Sequence, residues 1–396
     1  MLRFLTAGES HGPYLTAILE GMPAGLPLSP DDINRDLARR QAGYGSGGRM
    51  KIEQDAVEIS AGVMAGRTTG GPIAFRIQNL DYAKWKDRLI EPMTIPRPGH
   101  ADLTGAIKYG YRELRLALER ASARETAARV AVGAVCRRLL AEFGIAVGSY
   151  VIEIGGVDAT PPPDMPYPER LAMAETNDVR VAHPERVEAV RERIRQAMME
   201  RDTLGGVIEV VALGVPPGLG SHVHWDRRLD GRLAGALISV HAMKGVEIGP
   251  AFANARLSGT QVHDEIFLEN GRLVRRTNRA GGFEGGITTG EPIVARVAMK
   301  PIATTLTPLR SVDLASGQPS TTDYERSDFC AVPRAGVILE AMTCFVLADA
   351  LIEKLGGDSL DEMRPRFQAL RQARLEDLVM DNEAWRFGYS VYSNDP

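Results

Sequence analysis

Two histidines stand in turn-rich settings rather than on a core-facing stripe. His11 follows Ser10 in AGESHGP, and His100 comes three residues after Arg97 in IPRPGHADL. Both are flanked by Gly and lie off any amphipathic face, so both are expected to be accessible. Imidazole is the side chain best matched to proton transfer near neutral pH. Cations gather at other points. LARRQAGYGSGGRMKIE sets Arg39, Arg40, Arg49 and Lys51 around a glycine-rich loop. LERASARETAARVAVGAVCRRLLAEFG, residues 118–144, reads as one helix with Arg120 and Arg124 crowding its start. Ser122 and Glu125 there fit a capping box, which places the helix start at Ser122. A helix N-terminus carries roughly half a positive charge and disfavours each cation by about 0.3–1 kcal/mol. An anion supplies a reason for the arginines: backbone N–H groups, the dipole and guanidinium groups all favour phosphate or carboxylate. YERSDFCAVPRAG repeats the theme, with Arg326 and Asp328 ahead of a second apolar helix. The plainer alternatives are solvated arginines, structural histidines and an Arg–Asp surface pair of little energetic weight.

Several chemistries are excluded. GYGSGG follows a charged helix-like segment rather than a strand, so it is a weak dinucleotide fingerprint, and no GxxxxGK loop ending in Ser or Thr exists. A net charge of -4 gives no basic field for nucleic acid or an anionic membrane, and 6% aromatics leave few stacking platforms. Three cysteines, Cys136, Cys330 and Cys344, with no CxxC, argue for reduced core thiols and against a disulfide framework or a metal site. MLRFLTAGESHG lacks an apolar signal region, and VILEAMTCFVLADALIEKL is interrupted by Glu340, Asp349 and Glu353. The second segment reads as a buried helix, and the expected setting is cytoplasmic, with no membrane partner.

These groups need a scaffold, and the chain echoes itself in supplying one. GMPAGLPLS at 21–29 resembles GVPPGLGS at 214–221, and GRTTGGPIAFRI at 66–77 resembles GITTGEPIVARV at 286–297. The helix from Arg124 to Gly144 has its counterpart from Arg334 to Gly357, in the same order. The expectation is a single domain over 1–396 built of two pseudo-repeats, about 1–150 and 205–357. A Pro-rich, charged connection at 151–204 joins them and a tail follows at 358–396. AVEISAGV, GPIAFRIQN, GVIEVVALGV and PIVARVAM have strand patterns, TPPPDMPYPER reads as an extended loop, and Pro184 to Met199 as an exposed helix. Residues 130–136, VAVGAVC, are apolar all round, which requires burial on all sides. Two such helices with strands around them predict an α+β fold: a β-α-β sandwich with central helices between antiparallel sheets.

Ten segments in order, from AGESHGP through RRQAGYGSGGRMKIE, GRTTGGPI, RPGHADL, RASARETAARVAVGA, GVPPGLG, MKGVEIG and GGFEGGITTGEPI to KPIAT and ERSDFCAVP, resemble the chorismate synthase family between Ala7 and Pro333. The resemblance implies a 1,4 anti-elimination of phosphate from 5-enolpyruvylshikimate 3-phosphate to give chorismate, the last common step of the shikimate pathway. It implies reduced FMN without net redox change, NADPH only as a source of reducing equivalents, and a homotetramer. Arg40, Arg49, Arg97 and Arg124 stand at the family's substrate-binding positions. Arg120, Ala121, Ser122, His241, Ala242, Gly285, Lys300, Pro301, Ile302, Ala303, Thr304 and Arg326 stand at its flavin-contacting ones. By the same resemblance His11 protonates the leaving phosphate and His100 the reduced flavin, while Ser10 and Asp328 assist hydrogen removal at flavin N5.

Two positions depart from the family pattern. Ser46 stands where arginine is usual in the glycine-rich loop, removing one cation and any nicotinamide contact made there, and His241 stands where asparagine is usual. These departures predict weaker phosphate binding or loop closure, and pH-sensitive flavin binding. The competing readings are a silent binding protein for phosphorylated metabolites, a flavin-independent phosphatase and a nucleic-acid binder. The first has no use for two proton donors, and the last lacks a basic face.

Overall fold

The computed structural model describes residues 1–46, 54–325 and 327–384. The chain begins with β1 (Arg3–Ala7), β2 (Tyr14–Glu20), α1 (Pro30–Gln41), β3 (Val57–Ala61), a hairpin of β4 (Val63–Met64) and β5 (Arg67–Thr68), and β6 (Ile73–Gln78). Helices α2 (Asp102–Tyr109), α3 (Arg115–Ala121) and α4 (Thr126–Ala141) follow. Next come β7 (Ala146–Ile154), β8 (Val157–Asp158), α5 (Tyr167–Ala174), α6 (Val187–Met199), β9 (Gly206–Leu213), α7 (Leu229–Ile238) and β10 (Met243–Ile248). An excursion holds α8 (Ala251–Asn254), α9 (Gly259–Val262), β11 (Ile266–Glu269) and β12 (Arg272–Arg275). The chain returns through the hairpin β13 (Phe283–Glu284) and β14 (Ile287–Thr288), then β15 (Ile293–Met299), β16 (Arg310–Asp313), β17 (Gln318–Thr321), α10 (Val332–Leu355) and α11 (Leu360–Gln368).

Two larger antiparallel sheets form, in the orders β1-β2-β6-β3 and β8-β7-β9-β15-β10. Setting β1, β2, β6 and β3 against β7, β9, β15 and β10 gives the same order twice, with α1 matching α7 and α4 matching α10. The echo extends to single bonds. Thr68 Oγ1 donates to Pro23 O and accepts from Leu26 N; Thr288 Oγ1 donates to Pro216 O and accepts from Leu219 N. Both hairpins turn through two residues of positive φ, Ala65-Gly66 and Gly285-Gly286, as the tight two-residue turn requires. The duplicated TTG segments are therefore hairpin arms pinned by a threonine to a Pro-Gly turn.

Helices α4 and α10 cross between the sheets. Residues 130–136 are buried without exception, as an all-apolar helix demands. The crossing is close because Gly133 has no side chain: a Cβ there would lie 2.3 Å from Ala341 Cβ. The α+β sandwich is the architecture the sequence predicts. The apolar length of α10 would suffice to cross a membrane, but 89% of its most apolar window is buried in the fold. Cys136, Cys330 and Cys344 are all free and buried.

Glu340, fully buried on α10, joins the layers. It accepts from Arg39 of α1, Arg137 of α4, Arg180 and Ser149 of β7 at 2.6–3.1 Å. Burial works to raise the pKa of its carboxyl, but Arg39, Arg180 and Arg137 overcome that and bring it to about 2. The start of α1 is fixed locally: Ser29 N donates to Asp32 Oδ2 at 2.8 Å in a capping box, and Pro30 opens the first turn. Together these fix where Arg40, at the end of α1, points.

Three expectations need correction. The 118–144 stretch is not one helix. α3 ends at Ala121, Ser122 is extended at φ -65 and ψ 139, a 3-10 turn spans Ala123–Glu125, and α4 starts at Thr126. Ser122 Oγ does accept from Arg124 N, but Glu125 completes no capping box because its carboxylate is taken by Thr6 and Arg129. The 151–204 connection carries the end of β7, then β8, α5 and α6, and its Pro-rich loop becomes helical at Tyr167. The tail after Gly357 forms α11, whose Leu360 and Met363 are buried.

Candidate active site

A cavity of about 450 Å³ opens where the β1–β2 loop, the α3–α4 break, the loop before α2, the α7–β10 turn, the segment after β15 and the start of α10 meet. That volume lies within the ~300–1,000 Å³ range of small-molecule sites. The break at Ser122 is what opens the helix start to it: Ala121, Ser122 and Arg124 line the wall, and Ser122 Oγ donates to buried Ser10 at 3.0 Å.

Arginines converge here, each tied down by protein acceptors. Arg124 donates from Nη1 to Asp55 Oδ1 at 2.6 Å and from Nε to Asn79 Oδ1 at 2.7 Å. Arg40 donates to Asp55 Oδ2 at 3.3 Å, Thr126 Oγ1 at 3.1 Å and Ala123 O at 3.2 Å. Arg334, on the first turn of α10, donates to Asp328 Oδ2 at 2.7 Å and to the Ser46 hydroxyl. Burial pushes the Arg40 guanidinium down to about 10; Asp55 opposes the drop, and the charges of Arg124 and Arg334 deepen it. The group remains cationic at neutral pH, and a buried guanidinium beside two others suits an anion.

Both histidines line the cavity, and each has a carboxylate at Nδ1. His11 Nδ1 is 2.7 Å from Glu119 Oε1, and its ring packs on Trp85 at a 40° tilt with centroids 4.2 Å apart. His100 Nδ1 lies 2.6 Å from Asp102 Oδ1 and 3.0 Å from Arg97 Nη2. The carboxylate is the better partner, so Nδ1 carries the proton, and Arg97 Nη2 spends its own on Asp102 Oδ1 at 2.9 Å. Burial opposes ionisation of Asp102, yet His100 and Arg97 hold its carboxyl well below the usual range. Arg97 also donates to Thr304 Oγ1 at 3.0 Å, coupling the loop before α2 to the segment after β15.

The rest of the expected set divides clearly. Asp328, His241, Ala242, Lys300, Ile302, Ala303 and Thr304 line the cavity. Lys300 donates to Gly99 O at 3.1 Å, and burial lowers its pKa, with Lys244 adding to the drop. Burial likewise pushes the His241 imidazole down; Glu125 pulls it up, while Arg129, His100 and Arg120 lower it further. Its Nδ1 is buried with no hydrogen-bond partner among the described residues. Neutral imidazole therefore faces the cavity near pH 7. Three residues do not line it. Arg120 turns to Thr6, donating to its O at 3.0 Å and its Oγ1 at 2.8 Å. Pro301 is exposed, and Gly285 sits in the β13–β14 turn beside His222. Arg49 and Arg326 fall outside the described residues. Sequence reasoning missed Asp55, Asn79, Trp85, Glu119, Asp102 and Arg334. Only Asp102 and Arg334 carried a local signal, from their place beside RPGH and at the head of the second apolar helix.

Residues 2–352 match the family model described as chorismate synthase. The chain is 55% identical over 384 residues to the chorismate synthase of Aquifex aeolicus, covering 93% of this chain and 96% of the relative. It is 53% identical over 377 residues to that of Syntrophotalea carbinolica, at 93% and 97% coverage. A crystal structure of a chorismate synthase superposes with a TM-score of 0.76 at 48% identity, covering 93% of this chain and 96% of that one.

Proposed function

The chain belongs to the chorismate synthase family, and from that premise we infer how its own residues carry the reaction. It is a lyase that eliminates phosphate from 5-enolpyruvylshikimate 3-phosphate to form chorismate. The family implies a flavin; we take it to be reduced FMN, with NADPH entering only as a source of reducing equivalents. A homotetramer, a cytoplasmic setting and a single domain of two pseudo-repeats complete the reading, the first two resting on the family alone.

The observation that carries the reading is the meeting of two carboxylate-held histidines with a buried arginine cluster in one cavity. Loss of phosphate needs cations to hold the leaving oxygens and a proton to neutralise them. Arg40, Arg124 and Arg334 supply cationic charge that the protein has already taken out of water, so it costs no reorganisation during the reaction. Arg97, which also lines the cavity, serves the same end. We assign phosphate protonation to His11, whose Nδ1 lies 2.7 Å from Glu119 Oε1. His100, held at Nδ1 by Asp102, presents Nε2 for the second proton transfer. Asp328 and Ser10 are assigned to the side where the substrate hydrogen departs.

The residues fit a flavin. His241 Nδ1 is a buried polar atom in want of a partner, Lys300 offers a cation, and Leu118, Ala121, Ala242 and Ile338 supply apolar wall. Bound reduced flavin supplies electron density to the electron-poor carbon skeleton as phosphate leaves. Arg49, Arg120, Pro301, Gly285 and Arg326 are kept as ligand-contacting positions on the resemblance alone. Replacing His11 or His100 by alanine should lower kcat by about 10²–10⁴, the usual range for a proton-transfer group. Wild-type turnover in either variant would remove that histidine from the mechanism.

A further inference from the structure

We propose that Asn79 is a positioning residue for phosphate loss, holding the turn that carries His11 and the guanidinium of Arg124 at one fixed spacing. This inference rests on the reading of His11 as proton donor and Arg124 as anion holder. Asn79 directly follows β6 and is 2% exposed. Its Nδ2 donates to Glu9 O at 3.1 Å and to Gly12 O at 2.8 Å, and its Oδ1 accepts from Arg124 Nε at 2.7 Å. Gly12 N–H closes on Glu9 O at 3.2 Å, which makes Ser10 and His11 the central residues of a tight turn. Asn79 therefore holds the carbonyls at both ends of that turn. Its backbone N–H extends the clamp by donating to Pro13 O at 3.0 Å.

The partners fix which way the amide points. Carbonyls accept and a guanidinium donates, so the amide turned over would meet repulsion at all three contacts. The position has a plainer use that the side chain does not take up. Asn79 precedes the 3-10 turn Leu80–Lys84, where an asparagine ordinarily accepts from the N–H groups of its own turn. No such bond forms. The side chain instead reaches segments 67 and 70 residues away on one side and 45 on the other. Arg124 is thereby gripped at two points, Nη1 by Asp55 at 2.6 Å and Nε by Asn79, and two points fix the plane of the guanidinium. Asn79 does this with a neutral oxygen, which adds no negative charge to a site for phosphate. A hydroxyl has one hydrogen and a carboxylate none, so neither can hold both turn carbonyls and the guanidinium together.

The test is a pair of double-variant cycles on the purified full chain. Asn79→Ala should lower kcat about 30-fold in the anaerobic assay with reduced FMN, part of the ~10²–10⁴ that a proton donor contributes. It should also raise the Kd of flavin-free protein for inorganic phosphate about tenfold by calorimetry, the scale of one weakened charge-assisted hydrogen bond. On a His11→Ala background the kcat loss should shrink to less than about threefold, because residues acting as one unit are non-additive. On an Arg124→Gln background the change in phosphate Kd should likewise shrink to less than about twofold. Wild-type kcat and Kd in folded Asn79→Ala would overturn the proposal. So would a full multiplicative loss in either cycle, which would leave Asn79 a role in packing alone. A fully active His11→Ala would instead overturn the reading of His11, and unchanged phosphate binding in Arg124→Gln that of Arg124. If Asn79→Ala fails to fold, Asn79→Asp keeps the acceptor for Arg124 but turns an oxygen onto the Glu9 and Gly12 carbonyls. It must then show the same kcat loss, again absorbed on the His11→Ala background, or the proposal fails.

Discussion

Replacing Asp55 by asparagine removes a carboxylate that Arg40 and Arg124 share, at 3.3 and 2.6 Å, where its side chain is wholly buried. Taking one partner from a buried pair costs about 3–5 kcal/mol, and the retained amide oxygen argues for about 3. Unfolding entropy of about 2.1 cal/mol/K per residue over 396 residues is about 0.8 kcal/mol/K, so the melting temperature should fall by about 4 °C. The same change should strengthen anion binding. A unit charge about 5 Å from a bound phosphate, at an effective dielectric of about 20, is worth about 3 kcal/mol; half of that tightens phosphate more than tenfold. Flavin-free protein would be melted across a titration of inorganic phosphate. The variant should start about 4 °C low and close the gap as phosphate rises, because ligand stabilises the folded state by mass action. An unchanged melting temperature, or a gap that stays constant at every phosphate concentration, would refute Asp55 as the counterion of an anion site.

Glu340→Gln leaves Arg39, Arg137 and Arg180 without their common carboxylate; stability should fall by about 3–5 kcal/mol in denaturant melts. Because the folded carboxyl is held at about 2, the wild-type advantage should be full above about pH 4.5 and fade as pH falls toward 2. His241 carries the opposite group type. Its pKa is depressed by burial, so below about pH 6.5 the unfolded chain takes up a proton that the folded one resists. Stability should therefore fall on acidification, and His241→Asn should flatten the pH dependence of the melting temperature between about pH 6.5 and 5. Gly133→Ala sets a Cβ 2.3 Å from that of Ala341, and the forced separation of α4 from α10 should cost about 1–3 kcal/mol by thermal or chemical denaturation.

Much of the scaffold was legible because its signals are local. Matching Gly and Pro turns in the same order in both halves suggested the duplication, and the all-apolar runs of α4 and α10 announced central helices. His11, His100, Arg40, Arg97 and Arg124 stood out because their types do not suit their neighbours. The misses share a physical cause. Asp55, Asn79 and Glu119 act across 15 to 108 residues of chain, and no local pattern ties a carboxylate to a distant guanidinium or imidazole. The α3–α4 break was hidden because Ser-x-x-Glu is spelled the same whether Glu125 turns back to Ser122 or, as here, outward to Thr6 and Arg129. Ser46 looked like a lost cation, yet its hydroxyl accepts from Arg334, a guanidinium already in the site.

The central claim is that one cavity joins proton donors, anion-binding arginines and a flavin for phosphate elimination. The most direct test is an anaerobic assay of the purified chain with 5-enolpyruvylshikimate 3-phosphate, following chorismate absorbance and phosphate release together, with and without reduced FMN. Both products should appear in step and only with reduced FMN. Phosphate without chorismate, or turnover indifferent to reduced flavin, would contradict the claim.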